Sequence, residues 1–132
     1  MAHPCSFIDA VEMSSILNNE VEVDDSFETD CFYEPVGGYG AGLGVHSSVY
    51  PVPSTDCPIL IQTEPIFPDQ TVEPAPAYGE TAATITSEGA LEIQTCTDVA
   101  AVFVIVSGTE GTSGVDRLAT AKTIIDEILA SL

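Results

Sequence analysis

Ala100-Ala101-Val102-Phe103-Val104-Ile105-Val106 is an apolar run with no polar alternation. A strand can dispense with polar positions only where both of its faces are covered, so the run predicts the centre of a β-sheet. Immediately upstream, Thr81 to Ser87 and Ala90 to Thr97 read as a hairpin turning at Glu88-Gly89. In its second strand Leu91, Ile93 and Thr95 fall on one face and Glu92, Gln94 and Cys96 on the other, which gives one packed face and one polar face.

Downstream, the turn formers from Ser107 to Gly114 precede a helix over 115–131, with Ser113 as its cap and Asp116 in the first turn, where the helix dipole favours negative charge. Its length would be roughly 25 Å at a rise of about 1.5 Å per residue. Val115, Leu118, Ala121, Ile125, Ile128, Leu129 and Leu132 form an apolar stripe widened by Ile124. That stripe needs the sheet or a neighbouring subunit to cover it, which makes Leu118, Ile125, Ile128 and Leu129 the candidate assembly residues.

Toward the N-terminus the pattern is less regular. Residues 6 to 18 read as a short helix capped by Ser6, with Phe7, Ile8, Val11 and Leu17 at helical spacing. Glu20 to Val23 and Phe27 to Tyr33 read as short strands around the turn-forming Asp24-Asp25-Ser26. Five glycines in the eight residues from Gly37 to Gly44 predict a loop. Seven of the nine prolines lie from Pro51 to Pro76, and proline removes a donor and biases its predecessor toward extended geometry. An extended arm follows, which needs something outside the chain to hold it; Ile59 to Thr63 is its candidate edge strand. The expectation is an α+β fold. Residues 77–132 form a compact β-sheet with a C-terminal amphipathic helix, and residues 1–76 form an N-terminal helix, short strands and an extended Gly/Pro-rich arm.

The charge excludes several functions. The first basic side chain is Arg117, and of 21 acidic residues all but Asp126 and Glu127 precede it, for a net charge of −19. Nucleic-acid binding requires Lys and Arg against phosphates, and the same deficit disfavours anionic membranes. No apolar stretch reaches the roughly 18 to 20 residues of a spanning helix. With 45% apolar residues the chain should nevertheless fold. Its self-repulsion must be relieved by salt or by a basic partner surface. Arg117 and Lys122, both on the C-terminal helix, are the candidates for internal ion pairs.

Cys5, Cys31, Cys57 and Cys96 contain no Cys-x-x-Cys pair, which argues against a zinc site. Met-Ala-His-Pro-Cys lacks the basic start and apolar centre of a signal peptide, so synthesis in a cytoplasm and free, mostly buried thiols are expected. Asp24, Asp25, Glu28 and Asp30 form the densest acidic cluster and the candidate site for a hard cation such as calcium, although their spacing does not match an EF-hand loop. His3 and His46 are the only histidines, and neither sits in a nucleophile motif. The glycine-rich stretch lacks the strand, helix and lysine of a phosphate loop, and His46 is assigned to it as a loop residue. We expect no enzyme and no cofactor.

An extended arm, a small β-rich domain and the absence of catalytic motifs give the chain an organisation that resembles the small head-decoration, or cement, proteins of tailed viruses. The resemblance involves the whole chain and no diagnostic motif. It implies a virion subunit that binds copies of itself and a larger structural protein such as a major capsid protein, and strengthens the shell. A neck, tail or fibre-anchoring role would use the same physics. The alternative is a secreted or cell-surface filament or adhesion module of a salt-adapted organism, which oxidised cysteines would favour; a cytoplasmic adaptor of a high-salt cell is a third.

Overall fold

The computed structural model describes residues 2–109 and 116–132. Seven strands, β1 (Val21–Asp24), β2 (Asp30–Pro35), β3 (Leu43–Pro51), β4 (Thr71–Pro74), β5 (Ala83–Ser87), β6 (Ala90–Cys96) and β7 (Ala100–Gly108), build one antiparallel sheet in the order β1-β2-β3-β7-β6-β5-β4. The small β-rich α+β architecture with a C-terminal helix is therefore present. The apolar run forms β7, the middle strand. The hairpin of β5 and β6 turns at Glu88-Gly89, with Ser87 opposite Ala90 and Gly89 at φ 77°.

Two helices, α1 (Ala10–Leu17) and α2 (Arg117–Ser131), cover one face of the sheet. Asp9 caps α1 by accepting the Glu12 N–H at 2.8 Å, so the helix starts later than the Ser6 cap predicts, and Pro4–Ser6 form a single 3-10 turn. Asp116 caps α2 through the Leu118 N–H at 2.8 Å. The expected cap Ser113 and the stripe residue Val115 lie outside the described residues. Ile124, Ile125 and Ile128 are fully buried with Met13, Leu17, Tyr33, Leu43, Val45, Ile93 and Val104, and Leu118 and Leu129 pack at the edge of the same core. Burying one such aliphatic side chain contributes about 1.5 to 3 kcal/mol. The stripe offered as an assembly surface is thus consumed by the molecule's own sheet.

Two sequence expectations are corrected. β3 replaces the end of the glycine loop and extends well beyond it, pairing with β7 from Leu43↔Gly108 to Pro51↔Ala100. Its glycine is structural: a Cβ on Gly44 would lie 2.6 Å from the Tyr39 ring and 2.8 Å from the Tyr33 carbonyl. The division at residue 76 runs through a continuous sheet, since β4 before it pairs with β5 after it.

The cysteines are also paired. Cys5 is bonded to Cys31 on the helix-covered face, and Cys57 to Cys96 on the opposite face. The bridges close loops of 26 and 39 residues in succession, without nesting. The second explains why the Pro-rich segment is not a free arm. Cys57 is tied to β6, Ile61 packs on Ala83 and Ile85, and the Gln62 N–H donates to Gln94 Oε1 at 2.7 Å. Gln70 Oε1 then accepts from Gln62 Nε2, at 2.8 Å, and from the Ile66 and Phe67 amides. The segment is held from within the chain.

Candidate functional site

The face opposite the helices is only half covered. The Pro-rich segment lies over β5 and β6, while the part of the face formed by β2 and β3 is open. Strand alternation decides what it displays: Val45, Ser47 and Val49 point into the helix-covered core, so His46, Ser48 and Tyr50 point outward. Register places Phe32 opposite His46 and Asp30 opposite Ser48 on one side, and Phe103 opposite Ser48 on the other.

These side chains form one connected group. His46 Nε2 donates to Asp30 Oδ1 at 2.6 Å, Ser48 Oγ donates to the same oxygen, and Thr29 Oγ1 donates to Oδ2 at 2.9 Å. Partial burial pushes the Asp30 carboxyl up, but the hydrogen bonds from Ser48, His46 and Thr29 and the attraction of His46 outweigh it, leaving Asp30 below its ordinary value. His46 stacks on Phe32 at 4.1 Å between ring centroids, and Phe32 meets Phe27 edge-on at 5.3 Å. Beside this cluster a pocket of about 300 Å³ is lined by Thr29, Asp30, Ser48, Tyr50, Leu60 and Phe103.

Asp, His and Ser in contact suggest a hydrolytic triad, but the connectivity is wrong. In a triad the histidine stands between the other two, taking the serine proton on one nitrogen while the acid holds the other. Here the nitrogen nearest Ser48 Oγ, at 3.4 Å, is the Nε2 that donates to Asp30, and the serine hydrogen goes to the acid. These contacts fix a carboxylate on an open sheet face.

The acidic cluster read from the sequence is dispersed. Asp24 Oδ1 accepts both the amide, at 3.0 Å, and the hydroxyl of Ser26, and these bonds hold its carboxyl below the usual range. Asp25 and Glu28 are exposed, and Asp30 faces His46. Among the described residues no three acidic, histidine or cysteine side chains converge as a metal site. Arg117 donates from Nη2 to the Gly108 carbonyl, and Lys122 is exposed. Among the described residues His46 and Asp30, on neighbouring strands, also form a contact at 2.6 Å that is an ion pair when the imidazole is protonated. His46, assigned to the loop by sequence, and the unflagged Ser48, Tyr50 and Phe103 are the residues missed. Reading Val45-His46-Ser47-Ser48-Val49-Tyr50 as a strand would have placed three of them side by side.

Several apolar side chains are exposed, and of these Tyr50 and Leu60 line the pocket. Ile59 is 89% exposed, Ile66 69%, Phe67 61% and Tyr50 50%, with Phe27 and Leu60 also exposed. Comparison of the chain with protein-family models, with curated proteins and with solved structures found no match.

Proposed function

We propose that this protein is a non-enzymatic structural subunit displayed on the outside of a large assembly, with the shell of a tailed-virus particle as the first reading. There it decorates and stabilises the capsid, bound to copies of itself and to a larger structural protein such as the major capsid protein. The observation that carries the proposal is the pair of disulfides, one on each face of the sheet. Disulfides persist on virions, on cell surfaces and in secreted proteins, and are rare in reducing cytoplasm. Exposed Tyr50 and Leu60 at the pocket, and Phe27 beside Phe32, add apolar surface of the kind that partners cover.

The same oxidised cysteines, which favour a secreted or cell-surface module, and the Pro-rich segment support a second reading. The segment is anchored by Cys57–Cys96 and needs no neighbour to order it, which suits a self-contained secreted or cell-surface module as well as a capsid protein. Locating the chain separates the two. A producing culture is fractionated into particles, cell surface, medium and cytosol, with thiols alkylated before reduction. Recovery in purified particles with unalkylated cysteines supports the capsid reading. Recovery on cells or in the medium supports the second, and a cytosolic chain with four alkylated cysteines overturns both.

A further inference from the structure

We propose that the pocket between β2, β3 and the Pro-rich segment receives an arginine side chain of a partner protein. The inference rests on the structural role proposed above and supplies the chemistry of its contact. Asp30 provides the counter-ion. Ser48 and His46 occupy Oδ1 and Thr29 takes one position on Oδ2, so a carboxylate with about four acceptor positions keeps one on Oδ2 for a guanidinium N–H. Because these neighbours fix Asp30 before any ligand arrives, little ordering is required on binding.

The remaining walls suit a guanidinium on an aliphatic stem. Tyr50 and Phe103 line the pocket with aromatic rings, and a cation held over such a ring is attracted to it, guanidinium more often than ammonium. Leu60 offers an apolar surface for the stem, and the volume of about 300 Å³ accommodates one long side chain rather than a folded element. His46 meets Asp30 on Oδ1 and leaves the open position on Oδ2, and neither Arg117 nor Lys122 reaches it. Arg117 and Lys122 belong to α2, on the opposite face of the sheet, and the net charge of −19 draws cationic partners toward the molecule. Exposed Phe27 and Leu60 would surround the anchored side chain with apolar contact, the arrangement of a protein-binding hot spot.

The test uses the full, oxidised chain labelled with ¹⁵N and titrated with N-acetyl-arginine amide or its uncharged citrulline analogue, in buffer of physiological salt. We expect saturable amide shifts confined to the neighbourhood of Asp30, Ser48, Tyr50, Leu60 and Phe103, and weak shifts with citrulline. Asp30→Asn should weaken binding about tenfold or more, the usual effect of losing a charged hydrogen-bond partner. Tyr50→Ala should weaken it several-fold, and Glu88→Gln, an exposed acid at a distant turn, should leave it unchanged. Shifts spread over the acidic surface without saturation, or equal effects of Asp30→Asn and Glu88→Gln, would overturn the proposal. If Asp30→Asn fails to fold, equal shifts with arginine and citrulline, or unaltered binding by Tyr50→Ala, overturn it instead. None of these outcomes depends on where the protein resides, so the pocket can fail while surface display stands, and the reverse.

Discussion

Glu12 on α1 and Glu127 on α2 bring two carboxyls into hydrogen-bond contact across the helix layer. That bond, then slight burial and the charge of Glu12, raise Glu127 from 4.5 to about 7. A carboxyl whose folded value exceeds its unfolded one holds its proton more tightly when folded, so its stabilising effect is complete below about pH 4.5 and is lost as pH rises through about 7. Wild-type melting temperature should fall from pH 5 to pH 8, and Glu127→Gln should shrink that fall; equal falls in the two proteins would refute the coupling. Ser47 presents a different residue-scale problem. It is 1% exposed in the core face of β3, and its hydroxyl has no hydrogen-bond partner among the described residues. Removing a buried unsatisfied hydroxyl recovers its desolvation cost, so Ser47→Ala should stabilise by about 1 kcal/mol. A melting temperature raised by about 3 to 5 °C is the expected readout, and a lowered one would reveal a bond to Ser47 Oγ.

Among the elements, those with strong periodicity were legible in the sequence. β7, the β5–β6 hairpin and α2 follow from unbroken apolar runs, a Glu-Gly turn and a helical stripe. β3 was not, because its core face reads Val45, Ser47, Val49, with a polar residue where alternation needs an apolar one, and because Gly42 and Gly44 precede it. Those glycines answer to packing that sequence alone does not display: a Cβ on Gly42 would lie 2.8 Å from the Asn19 side chain. With β3 unread, the site built on it was unreadable too. Proline content predicts an extended segment, which is sound locally, while the order of that segment comes from Cys57–Cys96 and Gln94, far away in sequence. Replacing both Cys57 and Cys96 by Ser should cost about 4 kcal/mol by loop-closure entropy. Hydrogen exchange should accelerate across residues 52–70 while β3 stays protected. Unchanged protection of 52–70 would show that its other contacts suffice.

For the molecule as a whole, charge and topology divide the chain differently. Both cations lie on α2, yet the strands of the N-terminal meander β1-β2-β3 and the C-terminal meander β4-β5-β6-β7 meet in the middle of one sheet, at β3 and β7. A sheet whose longest seam joins the two halves of the sequence requires long-range closure before it is stable, which slows folding. The open face lies beside that seam. It combines residues from β2, β3, β7 and the crossing segment, so the pocket exists only when both meanders are in place.

The crossing segment also determines how the protein would respond to a protease. A single cut between Pro65 and Asp69 would separate the two meanders in sequence, but Cys57 stays with the first fragment and Cys96 with the second. The nicked molecule should therefore migrate as one species without reductant and as two with it, and the β3–β7 pairing should keep its sheet circular dichroism close to that of the intact chain. Two bands without reductant would show that Cys57 and Cys96 are not joined. In an oxidising setting, damage to this surface loop would leave the molecule in one piece.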